Sequence, residues 1–143
     1  MSKLTKAELE YVQSQGIARL GTVNRRGEPQ VKAVGFQYNA ELDTIDIRGM
    51  GMATSQKFRN IASNSKVSFL VDDVTPNGEP GFIEIRGDAQ ALVEGGQGPH
   101  PTVPGLTLPP AMIRIFPTRI VAWDSSGRFP SSSRTVDHDA SPE

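Results

Sequence analysis

Cysteine is missing from all 143 residues, and that absence removes disulfide scaffolds, thiolate metal sites, thiol nucleophiles and dithiol redox chemistry together. Any redox activity must therefore come from a bound cofactor. Histidine is almost as scarce: His100 lies between Pro99 and Pro101, and His138 lies close to the C-terminal end. Neither has a second ligand at metal-binding spacing, so both read as surface-loop residues and no metal site is expected. No serine sits in a nucleophile-elbow motif, and without a histidine base a serine triad has no support. Charge of one sign is also lacking. With 15 Lys+Arg against 16 Asp+Glu the net charge is −1, which provides no field to attract nucleic acid or an acidic membrane. No run approaches the ~20 apolar residues of a membrane span, and Met1 to Lys6 has no apolar leader segment. The chain reads as cytoplasmic, without a membrane or nucleic-acid partner.

Apolar residues are few as well, at 36%. Two stretches account for the shortage. Residues 94–110 are rich in Gly and Pro and read as an irregular loop. Residues 125–143, rich in Ser, Pro and charge, read as a flexible polar tail that cannot offset the entropy of ordering. That leaves 1–124 as one folded domain of ordinary size.

Within it, Thr5 and Glu8 form a capping box for a helix over about 5–14, with Leu9 and Val12 on one face and Gly16 placed as a left-handed stop. The period then changes. Residues 17–23, 30–38, 44–48, 67–71, 82–93 and 112–123 read as strands joined mostly by short turns. Gly87, inside the fifth, suggests a bulge or bend. Asp72 and Asp73 begin a turn that runs to Pro80. Thr54 or Ser55 caps a second helix to about Asn64, from which Phe58 and Ile61 point inward. The fold is thus mainly β: a six-stranded antiparallel closed or split β-barrel with two short helices. A barrel this small has little room inside, so a site belongs on its flank or at an interface with a second copy.

The segment most suggestive of chemistry is Gly51 to Asn60. A Gly-containing turn opens a helix whose free N–H groups attract an anion, and Lys57 and Arg59 fall within the first turn. Cations there oppose the helix dipole, so an anionic ligand would account for them. The other reading is a solvated, ordinarily capped helix. Gly35, inside a strand between Val34 and Phe36, permits either close approach of a flat ring or a bend in the barrel.

In this order and spacing, Ile17 to Val23, Gly27 to Val31, Val34-Gly35-Phe36, Ser55 to Asn60, Val67 to Asp73, Ile83 to Ala89 and Ile113 to Trp123 resemble the pyridoxamine 5′-phosphate oxidase-like split-barrel family. Within it the chain is most similar to the deazaflavin (coenzyme F-420)-dependent branch. The resemblance covers about residues 4–124 and implies a homodimer with cofactors in clefts between subunits. It implies that Lys57 and Arg59 neutralise a cofactor phosphate, with Ser55 and Asn60 adding hydrogen bonds. Ala33, Val34 and Gly35 would lie against the ring, and Arg48, Gly49 and Met50 would flank the phosphate chain. Phe82 or Trp123 would come from the partner subunit. Two positions depart from the branch: Gln56 replaces a frequent basic residue, and Lys32 a usual apolar one. The implied activity is hydride transfer from reduced F-420 to a small unsaturated molecule, with no protein nucleophile. FMN-dependent flavin reductase or oxidase activity, and non-enzymatic binding of a cofactor or tetrapyrrole, remain as alternatives.

Overall fold

The computed structural model describes residues 2–136. Helix α1 (Lys6–Ser14) opens with the expected capping box: Thr5 Oγ1 accepts the Glu8 N–H at 3.1 Å, and the Glu8 carboxylate accepts the Thr5 N–H at 2.9 Å. It ends differently. Gln15 is extended and Gly16 does not take the left-handed conformation, so the chain runs straight into the first strand.

The strands are β1 (Ala18–Val23), β2 (Pro29–Val34), β3 (Gln37–Asn39), β4 (Thr44–Arg48), β5 (Lys66–Val74), β6 (Pro80–Leu92), β7 (Gly98–Pro99), β8 (Thr107–Leu108), β9 (Met112–Asp124) and β10 (Ser132–Thr135). A 3-10 turn at Met52–Thr54 leads into helix α2 (Gln56–Ser63). Eight strands form one antiparallel sheet in the order β2-β1-β5-β6-β9-β4-β3, with β10 alongside β9. Strands β2 and β3 stand at opposite ends of that order, yet only Gly35 and Phe36 join them. Three residue steps span roughly 10 Å, so the sheet must curl until its edges nearly meet. This is a split barrel. The single strand expected over 30–38 is therefore two, because the chain crosses at Gly35 from one edge to the other.

Inward-facing side chains fill the barrel. Leu20, Phe69, Ile83, Ile85, Ile113, Ile115 and Ile120 are all 1% exposed or less, and each aliphatic side chain so buried contributes about 1.5–3 kcal/mol. Val12 from α1 and Ile61 from α2 join the same cluster. The register of β6 on β9 slips between Arg86 and Gly87. A Cβ at Gly87 would collide with the Phe116 carbonyl, so only glycine admits the bulge that bends both long strands. Strand β5 runs on through Asp72 and Asp73, and the tight turn begins only at Thr75, whose N–H and carbonyl pair with Glu79 and Gly78. The expected turn at the two aspartates is thus a strand end.

The expected flexible tail needs correction over the part the structure describes. Strand β10 pairs with β9 from Ser132 to Thr135, and Phe129, 3% exposed, packs beside the Tyr11 ring at 5.1 Å. Arg128 bridges Asp73 and Asp124, and Arg134 holds both oxygens of Glu8 at 2.7 and 2.9 Å. Counting apolar residues overlooked these anchors: an open edge on β9 and buried carboxylates that need cations. Residues 137–143 lie outside the described residues. Among the described residues, no helix is long and apolar enough to cross a membrane.

Candidate functional site

Ser55 caps α2, its Oγ accepting the Phe58 N–H at 3.3 Å and donating to the Met52 carbonyl at 2.7 Å. The cap fixes where the first turn points. Lys57, two residues in, is half-buried, and burial together with the nearby charge of Lys32 on β2 pulls its ammonium below the ordinary lysine value. Neither lysine has an ion-pair partner among the described residues. Lys57 thus carries a charge that burial, and secondarily Lys32, disfavours, which costs stability unless a ligand supplies an anion.

Arg59 lies elsewhere. Two residues on a helix turn the side chain by about 200°, and Arg59 donates to the Thr54 carbonyl and to Gln56 Oε1 at 2.7 Å. It lines an open cleft with Asn24, Arg25 and Arg26 from the β1–β2 turn. Asn60, only 2% exposed, spends both amide hydrogens on Thr22 and Gln30 at 2.9 Å and accepts from Gln56 at 2.7 Å. Its visible role is to tie α2 to β1 and β2.

A second concavity of about 380 Å³ brings together Gly35, Phe36 and Gln37 with Asp46, Arg48 and Gly49 and with His100, Pro101, Thr102 and Leu108 of the β7–β8 hairpin. Three of the sequence-predicted residues, Gly35, Arg48 and Gly49, meet here. The volume lies within the ~300–1,000 Å³ typical of small-molecule sites. A Cβ at Gly35 would meet no atom of the described residues within 4 Å. No neighbouring protein atom therefore requires glycine at that position, and the space beside it is open to a flat ring. Among the remaining predicted residues, Val34 is buried in the core, Ala33 is exposed on β2, and Met50 is 53% exposed beyond β4. Phe82 lies on the outside of the barrel, its ring 6.0 Å from that of Trp123.

Asp46 is committed within the concavity. It takes a two-pronged bond from Arg114 at 3.0 and 3.1 Å and accepts from Asn39 and Thr44 at 2.9 Å. Sequence reasoning set aside His100 and did not single out Asp46 or Phe36 as site residues. Asp46 alternates within an ordinary strand, and His100 follows a Gly-Pro pair that marks only a turn.

A curled antiparallel sheet whose two edges are joined through Gly35, with α2 against one side, defines a split-barrel protein. The sequence agrees: the pyridoxamine 5′-phosphate oxidase family model matches residues 4–99, and the chain belongs to that family. Among characterised relatives it is 43% identical over 126 residues to the 5a,11a-dehydrotetracycline/5a,11a-dehydrooxytetracycline reductase of Streptomyces rimosus, covering 86% of this chain and 84% of the relative. The crystal structure of a conserved hypothetical protein from Mycobacterium tuberculosis superposes with a TM-score of 0.65 at 20% identity, covering 93% of each chain. A FAD binding protein from Mycobacterium smegmatis superposes with a TM-score of 0.57 at 17% identity, covering 84% of this chain and 94% of that one. These two structural likenesses establish the fold alone.

Proposed function

We propose that this chain is an oxidoreductase that uses reduced deazaflavin coenzyme F-420 to reduce a small unsaturated molecule. The observation that carries the reading is half-buried Lys57 in the first turn of the capped helix α2, its charge disfavoured by burial and by Lys32, with no ion-pair partner for either lysine among the described residues. Free N–H groups at a helix start and two uncompensated ammonium groups suit a phosphate. The open space at Gly35, flanked by Arg48 and Gly49, suits a flat ring. The residues present thus fit a phosphate-bearing tricyclic cofactor. Lys57 and Lys32 would hold its phosphate, Gly35 would admit the ring, and Arg48 and Gly49 would flank the chain between them. When bound in reduced form, such a cofactor supplies a hydride. The protein's part is to position the reactants and exclude water, which requires no nucleophile. The reductase activity of the Streptomyces rimosus relative favours the same chemistry.

The site lies on the flank of the barrel, and the outer sheet face suits a second copy of the chain. Trp123 is 40% exposed beside Phe82, and Val31 and Val74 are each 65% exposed. On the same face, Asp72 Oδ1 is shielded from water and finds no hydrogen-bond donor among the described residues, lying 3.7 Å from Arg19. We take this face as the contact of a homodimer.

Titration of purified protein with F-420 and with FMN, followed by cofactor fluorescence, tests the reading. Saturable F-420 binding, with oxidation of the reduced form when an unsaturated acceptor is added, is the expected result. Binding of FMN alone would assign the site to a flavin. Tight F-420 binding without turnover would make the chain a carrier, and binding of neither would remove the proposal.

A further inference from the structure

We propose that the β7–β8 hairpin is the substrate-recognition element of this site, and that His100 Nε2–H is the hydrogen-bond donor that holds a carbonyl oxygen of the substrate. The inference rests on the oxidoreductase reading above and extends it to a residue and a substrate chemistry.

His100 Nδ1 accepts the backbone N–H of Thr102 at 3.1 Å and that of Val103 at 3.1 Å. A nitrogen that accepts two N–H groups carries no hydrogen, so the neutral ring bears its proton on Nε2. These bonds also fix the plane of the ring. The hairpin is itself anchored: His100 N–H donates to the Leu106 carbonyl at 2.7 Å, Gly96 N–H to the Pro110 carbonyl at 2.7 Å, and Arg48 Nη1 lies 3.5 Å from the Gly96 carbonyl. His100 is therefore a positioned donor in a loop tied to the barrel, lining the same concavity as Gly35 and Arg48.

The balance of donors and acceptors identifies what fits. Arg48 has no ion-pair partner among the described residues. The carboxylate of Asp46, which could have offered an acceptor, is occupied by Arg114, Asn39 and Thr44. With a ring donor, an unpaired guanidinium and a committed carboxylate, the concavity complements an oxygen that carries or gains negative charge. Phe36 and Leu108 supply apolar surface for the carbon skeleton beside it.

This arrangement suits a carbon–carbon double bond conjugated to a carbonyl. When bound in reduced form the deazaflavin would supply a hydride, and with it both electrons, to the far alkene carbon; the displaced π pair would move through the conjugated system onto the carbonyl oxygen. A proton from water then adds to the near carbon and restores the carbonyl. His100 Nε2–H holds the oxygen while it bears the charge, and the Arg48 cation stands beside it.

The test uses His100→Asn, because an asparagine Oδ1 can accept the Thr102 and Val103 N–H groups as Nδ1 does, whereas the donor at the Nε2 position is lost. The probe is 5a,11a-dehydrooxytetracycline, its affinity measured by calorimetry on the protein alone. The variant should bind it about two- to tenfold more weakly, the loss expected for one neutral hydrogen bond. Its melting temperature and F-420 affinity should be unchanged. Wild-type affinity in His100→Asn would overturn the proposal, as would failure of the wild type to bind the probe or a parallel loss of F-420 binding in the variant. If the wild type bound no F-420 but its affinity for the probe still depended on His100, the cofactor reading would fall and the recognition role of His100 would stand.

Discussion

Lys57→Met should weaken binding of a phosphate-bearing cofactor by one to two decades while leaving the protein as stable as the wild type or slightly more so. Methionine keeps the apolar stem of the half-buried side chain and removes only the charge. That charge is disfavoured in the free protein, first by burial and then by Lys32, and no acidic partner among the described residues offsets either effect. A lysine whose folded-state value is lowered costs stability at every pH where it stays protonated, and the cost fades as pH rises through that lowered value. Wherever the ammonium is protonated that cost is present, so removing the charge cannot destabilise through electrostatics. A bound phosphate reverses the balance. The charge-assisted hydrogen bond it accepts from Lys57 contributes about 1.5–3 kcal/mol, hence roughly a tenfold to hundredfold change in affinity. Arg59→Ala is the matched control. Its side chain leaves α2 on another face and is occupied by Thr54 and Gln56, so it should change affinity less than about twofold. Fluorescence titration with F-420 and FMN, paired with thermal melts, reads both quantities. Unchanged affinity of Lys57→Met for both cofactors would refute the phosphate clamp, and a dominant effect of Arg59 would move the site to the cleft it shares with Arg25 and Arg26.

Truncation after Asp124 should lower the melting temperature by more than about 10 °C or abolish folding, since Phe129 alone accounts for about 2–3 kcal/mol of burial. A melt like that of the full chain would show that β10 does not stabilise the barrel. Arg134→Met leaves the Glu8 carboxylate, whose side chain is 2% exposed, with only its capping bonds. It should cost about 3 kcal/mol, and Glu8→Gln in the same chain should recover part of that loss in urea denaturation. Acid should weaken the protein through the same pairs. Hydrogen bonds from Arg128 hold Asp73 and Asp124 below the usual carboxylate range, and at Glu8 the bonds from Arg134 and Thr5 outweigh the opposing effect of burial. Carboxylates with lowered folded-state values stabilise above about pH 4 and lose that contribution as pH falls further. Melts at pH 7 and pH 3 should therefore differ, and equal melts would show that the pairs contribute nothing. Trp123→Glu should convert a dimer to monomers in sedimentation at micromolar concentration, and a monomeric wild type would remove the outer-face contact.

Local patterns alone determined much of this protein. Alternation over 44–48 and 112–123, the Thr5–Glu8 box and the Ser55 cap depend on neighbours within four residues, so they could be read without knowing what lay across the sheet. Gly87 was legible for the same reason, as a residue without a side chain in a long strand. Lys57 also stood out locally, as a cation near a helix start. Only the tertiary structure decided the rest, because the deciding partners are far apart in sequence. Gly35 marks a crossing between edges only once the strand order is known. Asn60 donates its amide to Thr22 and Gln30 across 38 and 30 positions, partners that no local pattern names. Glu8 and Arg134, 126 residues apart, made a strand of what composition had assigned to a tail. His100, in a Gly- and Pro-rich segment with no periodicity, came to line a concavity with Gly35 and Arg48 only when the hairpin folded against the barrel. Short-range hydrogen bonding and periodicity are written in adjacent residues. Charge pairing, edge closure and pocket lining are properties of the folded surface, where residues distant in the chain first meet.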